Sequence, residues 1–179
     1  KIERDNKMKF FIAGGTGFIG RHLIDALSKN GYNARCLVRT EEKAAICKGV
    51  GFEAVIGDIT DRESLKEKLD GCDVAVHLVG IIEETGGMTF KRVHVEGTRN
   101  FVDEAKKAGI KHIFYQSALG ASSTSWSKYY KTKAEAEEVV KEGGLPYTIF
   151  RPSLVIGKGD GFTERLKELI RLGTFVPIP

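Results

Sequence analysis

Four glycines fall within seven residues, Gly14-Gly15-Thr16-Gly17-Phe18-Ile19-Gly20, directly after the apolar run Lys9–Ala13 and at the opening of a helical pattern. The G-x-x-G-x-x-G spacing does three jobs: it permits a tight turn, lets backbone N–H groups approach a pyrophosphate, and packs helix closely on strand. The helix start adds free N–H donors and the positive end of its dipole. A plain glycine-rich turn is the competing reading, and the placement between strand and helix favours a dinucleotide site. A nucleoside triphosphate loop would end in Gly-Lys-Ser/Thr, whereas Gly20 is followed by Arg21-His22.

The rest of the chain repeats the strand-then-helix alternation. Strands are expected at Lys9–Ala13, Ala34–Val38, Glu53–Ile56, Val74–Val79, Ile113–Ser117 and Tyr147–Phe150. Helices are expected at Gly20–Lys29, Glu41–Lys48, Arg62–Leu69, Phe90–Ala108, Tyr129–Glu142 and Phe162–Leu172. Leu23, Ile24 and Leu27 share one helix face, as do Leu65 and Leu69. Val74-Ala75-Val76-His77-Leu78-Val79 hardly alternates, which suits an interior strand covered on both sides. The pattern predicts an α/β protein with a Rossmann-like doubly wound parallel sheet and helices on both faces.

Composition narrows the class of partner. The chain has 179 residues with a net charge of +4, an excess spread along its length rather than gathered into a basic run, so no nucleic acid is expected. The basic aromatic stretch Trp126–Lys131 has the residue types of a single-strand surface, but the acidic run Glu135, Glu137, Glu138 beside it argues against that. Cys36, Cys47 and Cys72 lack zinc or redox spacing, and His22, His77, His94 and His112 have no i, i+3 or i, i+4 partner. No metal is expected, and a reducing, cytoplasmic setting is. No run reaches the roughly 18 apolar residues of a spanning helix. Residues 1–7 read as an N-terminal extension, with Met8 opening the first apolar run like a native start.

The ends of the strands supply the chemistry. Arg39 stands nineteen residues past Gly20, with Lys43 one turn later, where an acidic residue would favour NAD(H). NADP(H) is therefore favoured over NAD(H), Arg39 as a solvated loop charge being the alternative. Asp58, followed by Ile59, is open to two roles: accepting from the adenine amino group or capping the helix at Arg62. Leu78, Val79 and Gly80 offer bare backbone to the cofactor. Ser117 ends the fifth strand, and Tyr129 and Lys133 lie at i, i+4 on the next helix. An ammonium beside a phenol favours the phenolate and brings it toward the working range. Tyr129 would then exchange a proton with the substrate, Lys133 would also hold the nicotinamide ribose, and Ser117 would donate to the substrate oxygen. An exposed helix with incidental Tyr and Lys is the alternative.

Taken together these residues resemble the short-chain dehydrogenase/reductase superfamily, nearest its extended and atypical branches. There the glycine turn reads TGxxGxxG, the pair reads YxxxK, and an RPxxxxG segment follows the sixth strand, here Arg151–Gly157. HLVGII, FKRVHVEGTRN, SALGA and YYKTKAEAE are similar to the nucleoside-diphosphate-sugar epimerase-like group that includes the 39-kDa subunit of respiratory complex I. The resemblance implies an NAD(P)-dependent oxidoreductase or epimerase acting on a nucleotide sugar or a small carbonyl or alcohol. The alternative it implies is an NADPH-binding non-catalytic accessory, assembly or redox-sensing subunit of a respiratory-type membrane complex, and an oligomer is compatible with either. By the same resemblance Pro152 joins the cofactor contacts. Residues 8–179 form the Rossmann domain plus the start of a substrate-binding portion whose bulk lies beyond Val176–Pro179. Two departures stand out: Ala13 precedes Gly14 where Thr is usual, and His94 replaces the Asn that supports a proton-relay water. That His94 is open to a similar hydrogen-bonding role or to plain core packing.

Overall fold

The computed structural model describes residues 8–172. The elements run β1 (Lys9–Ala13), α1 (Phe18–Lys29), β2 (Asn33–Val38), α2 (Glu41–Gly49), β3 (Glu53–Ile56), α3 (Arg62–Leu65), β4 (Val74–His77), a π-helical turn (Lys91–Glu96) continuing into α4 (Gly97–Lys107), β5 (His112–Gln116), α5 (Lys128–Glu142), β6 (Tyr147–Phe150) and α6 (Gly161–Leu172). All pairings are parallel and the order is β3-β2-β1-β4-β5-β6. Strand order reverses between β1 and β4, which opens a crevice at the carboxyl edge where such sheets bind ligands.

Alternate residues of each strand feed two cores. Phe11, Ala75, Ile113 and Tyr115 pack against Phe101, Val102, Ala105, Ala136 and Val140 of α4 and α5. Ile12, Cys36, Val38 and Val76 face Ile24, Ala44 and Cys47 of α1 and α2. Burying a large apolar side chain contributes about 1.5–3 kcal/mol, so the fully buried Phe11, Ile24 and Phe101 fix which helix covers which face.

Several bounds shift by a residue or two from the sequence expectation, and Ser117 falls just past β5; three differences bear on the core and the crevice. The third helix stops at Leu65 rather than Leu69, because Lys66 turns extended and Glu67 takes φ 60°. That break still brings both Leu65 and Leu69 into the core. The helix expected over Phe90–Ala108 begins as a π turn, whose wider winding buries Val93, His94 and Val95 in succession. Gly97 follows because a side chain there would come within 2.7 Å of Ile59 Cδ1. The fourth strand ends at His77, which frees the backbone of Leu78–Gly80 at the crevice. Residues 1–7 and the tail Val176–Pro179 lie outside the described residues.

Candidate functional site

The glycine turn is built by close approach. Gly14 has φ 88°, and a Cβ on it would lie 3.0 Å from the Leu78 carbonyl carbon. A Cβ on Gly20 would stand 2.1 Å from Gly14 O, so only glycine lets α1 begin this near β1. Gly15 packs on Cys36 Sγ, and Gly17 N–H donates to Gly14 O at 3.0 Å. The N-cap Gly17 offers no side chain, and the first helical bond is Arg21 N–H to Gly17 O. The N–H groups of Phe18, Ile19 and Gly20 therefore remain as donors at the positive helix end, a cradle suited to a pyrophosphate. The Phe18 side chain faces away from the cleft and packs on Gly157 and, edge-on, on His22.

A cleft opens beside this turn, and Gly14, Thr16, Gly17, Arg39, Lys43, Asp58, Ile59 and Leu78–Gly80 line it. The structure thus gathers most of the expected cofactor residues along one wall-to-wall groove. Arg39 is largely exposed, with Nη1 4.0 Å from Asp58 Oδ2. The Asp58 Oδ1 accepts from Thr60 N at 2.8 Å and Thr60 Oγ1 at 2.9 Å. The helix cap expected as one role of Asp58 belongs instead to Asp61, which accepts from Glu63 N and Ser64 N. Thr40 caps α2 by accepting from Lys43 N, which sets that helix start behind Arg39 and Lys43. Thr60, Met88 and Val93 also line the cleft and carried no sequence signal. Pro152 and Lys133 do not line it.

A second cavity lies at the ends of β5 and β6, lined by Gln116, Ser117, Leu119, Tyr129, Tyr130, Pro152, Ser153, Leu154 and Val155 among others. Tyr129 is half-buried within an aromatic cluster, edge-on to Phe90, His94 and Tyr130 at 5.7, 5.4 and 5.2 Å. Burial, and then the neighbouring Tyr130 phenol, push Tyr129 above the ordinary phenol range. This corrects the expectation that Lys133 draws it down. The Lys133 side chain is buried, and its Nζ donates to Gln116 O at 2.6 Å and stands 2.9 Å from Tyr115 Oη. Burial pulls its ammonium down to about 8, with Glu137 pulling the other way.

Ser117 is corrected in the same sense. It is buried and its hydroxyl donates to Glu137, so that hydrogen is not presented to a substrate oxygen. Glu137 also accepts from Arg151 Nε at 2.8 Å. Burial raises the Glu137 carboxyl, but the hydrogen bonds from Arg151 and Ser117 outweigh it and the net shift is downward. Glu137 extends the i, i+4 series Tyr129, Lys133, and that spacing was the available signal for it.

His94 is a packed core residue. Its Nδ1 lies 3.0 Å from Thr132 Oγ1, and its Nε2 lies 3.1 Å from Ile81 O and 3.2 Å from Ile81 N. Burial, then Lys133, lowers it to about 4, and it is neutral at ordinary pH. His94 therefore ties the loop after β4 to α5 beneath Tyr129. Among the described residues no His, Cys, Asp and Glu cluster could hold a metal ion, and no helix is long and apolar enough to cross a membrane.

A uncapped glycine-rich turn at the switch point of a 3-2-1-4-5-6 sheet defines a dinucleotide-binding domain. The family described as NAD(P)H-binding matches residues 14–168, and the chain belongs to it, within the extended short-chain dehydrogenase/reductase and epimerase-like group. It is 32% identical over 167 residues to the ceramide reductase of Caulobacter vibrioides, covering 93% of this chain and 52% of that protein. It is 31% identical over 172 residues to YhfK, an uncharacterized sugar epimerase of Bacillus subtilis, covering 92% of this chain and 80% of that one. The NADPH-dependent quinone oxidoreductase QOR2 of Escherichia coli, complexed with NADPH, is similar in structure, with a TM-score of 0.67 and 28% identity over 79% of this chain and 48% of that one. The chain spans about half the length of several curated relatives it matches.

Proposed function

We propose that this chain is the cofactor-binding part of an NADP(H)-dependent reductase that acts on a carbonyl group carried by a bulky apolar substrate. The observation that carries the reading is the second cavity, where Tyr129 stands beside Leu119, Tyr130, Pro152, Leu154 and Val155. Gln116 and Ser153 line the same cavity, so it offers polar contacts to the carbonyl end beside the apolar ones for the rest of the substrate. The names of the ceramide reductase and the quinone oxidoreductase agree with such a substrate.

In this reading the N–H groups of α1 hold the paired phosphates, and Arg39 and Lys43 hold the 2′-phosphate of the adenine ribose. The coenzyme, when bound, supplies a hydride to the carbonyl carbon. Tyr129 donates the proton to the carbonyl oxygen. Its raised range keeps it protonated at neutral pH, which suits a donor. The aromatic cluster of Phe90, His94 and Tyr130 holds the phenol in place and keeps water from one side of it.

The engagement of Ser117 by Glu137 and of Lys133 by Tyr115 favours a second reading, a subunit that holds NADPH without turning it over in a respiratory-type assembly. Turnover separates the two. With long-chain ketones and nucleotide sugars offered in parallel, NADPH oxidation is expected with the ketones, and Tyr129→Phe is expected to slow it about a hundredfold. Tight NADPH binding with no oxidation by any ketone supports the second reading instead.

A further inference from the structure

His94 stands between the two pockets and touches a wall of each. On one side its ring lies against the bare backbone that follows β4. A Cβ on Gly80 would come 3.6 Å from Nε2, and Nε2 meets the Ile81 backbone at 3.1 Å for O and 3.2 Å for N. Gly80 and Ile81 line the cofactor cleft. On the other side the imidazole meets Tyr129 twice. The two rings lie 5.4 Å apart, nearly perpendicular at 83°. In addition, Nδ1 is 3.0 Å from Thr132 Oγ1, which donates to the Tyr129 carbonyl oxygen at 3.0 Å. Tyr129 lines the second cavity.

The π turn builds this placement. Its wide winding puts Val93 in the cleft wall and the next residue, His94, beside α5, with both buried. Phe90 stacks on the imidazole with ring centres 5.4 Å apart and packs edge-on against Tyr129 as well. His94 is therefore fixed by polar contacts at opposite ends of its ring and by aromatic contacts on two sides. A close-packed interior transmits a displacement rather than absorbing it, so a side chain held in this way acts as a strut.

We propose that His94 is a positioning residue that couples the two pockets: a cofactor resting on the Gly80–Ile81 backbone acts through the imidazole on Tyr129 and fixes the phenol against the reactive end of the dinucleotide. The consequence for turnover rests on the reductase reading, whereas the coupling itself needs only cofactor binding.

The test follows ring-labelled tyrosine by NMR as the chain is titrated with NADPH. Tyr129 is identified as the signal absent from Tyr129→Phe, among the five tyrosines of the chain. Its signal is expected to shift on binding. His94→Gln keeps an amide that reaches Ile81 but loses the aromatic edge and the Thr132 contact, and at saturating NADPH the shift is expected to fall to less than about half. A Tyr129 signal that ignores NADPH in the wild type, or that moves as far in His94→Gln, overturns the proposal. The second result is that of a residue which only stabilises the core: lower resistance to urea with the shift intact. If His94→Gln does not fold, Thr132→Val, which cuts the same path one step further on, decides by the same criterion. With a long-chain ketone present, His94→Gln is expected to lower kcat about tenfold with little change in the KM for NADPH. A raised KM with kcat kept overturns the positioning role. A wild type that shows the shift but oxidises no NADPH leaves the coupling standing and removes the reductase reading.

Discussion

Ser117 donates its hydroxyl to Glu137, twenty residues further along the chain, and thereby fastens the end of β5 to the middle of α5. Arg151, just past β6, closes on the same carboxylate, so three segments that border the second cavity share one buried anion. That clamp positions Tyr129 and Pro152 relative to each other without touching a substrate.

Glu137→Ala leaves a buried hydroxyl and a guanidinium without their acceptor and is expected to destabilise the fold by about 2–4 kcal/mol. Urea unfolding checks the size. Glu137→Gln keeps one acceptor oxygen and is expected to recover part of the loss.

Gly20→Ala tests the turn. The added methyl would meet the Gly14 carbonyl oxygen at 2.1 Å and the Gly15 Cα at 2.6 Å, both backbone atoms that cannot swing aside. A loss of about 3 kcal/mol or more is expected. Gly49→Ala, at a helical glycine with open space around it, is the control and is expected to be neutral or slightly stabilising.

Acid stability follows from the two buried imidazoles. Both His77 and His94 are lowered, to about 3 and about 4, chiefly by burial. The unfolded chain takes up protons below the ordinary histidine value of about 6.5, and the folded chain does not until those lower values. Their contribution is thus fully present above about pH 6.5 and is lost as pH falls toward about 4. The expected slope reaches roughly 2.7 kcal/mol per pH unit from the two together. Stability curves between pH 7 and 5 check it, and His94→Asn is expected to halve the slope.

The parallel sheet was legible because strand-length apolar runs alternate with helical patterns, and the glycine turn was legible because its spacing serves one geometry. Other features leave weaker marks. A π turn buries Val93, His94 and Val95 in sequence, which a 3.6-residue period cannot distinguish over so short a stretch. Glu67 adopts a left-handed conformation that its residue type does not advertise. Glu137 reads as one of a surface charge run with Glu135 and Glu138, yet it is buried, because its partners Ser117 and Arg151 come from β5 and beyond β6. Tyr115 sits in the strand HIFYQ like any buried aromatic, and only the fold brings Lys133 to its hydroxyl.

The central claim is that the glycine-turn cleft holds a dinucleotide whose 2′-phosphate is met by Arg39 and Lys43. Calorimetric titration of the wild type and of Arg39→Ala with NADPH and NADH tests it most directly. A charge-assisted contact of about 1.5–3 kcal/mol predicts that NADPH binds at least about tenfold more tightly than NADH, and that Arg39→Ala removes most of that difference while leaving NADH affinity nearly unchanged. Equal affinity for the two coenzymes in the wild type, or no binding of either, would contradict it.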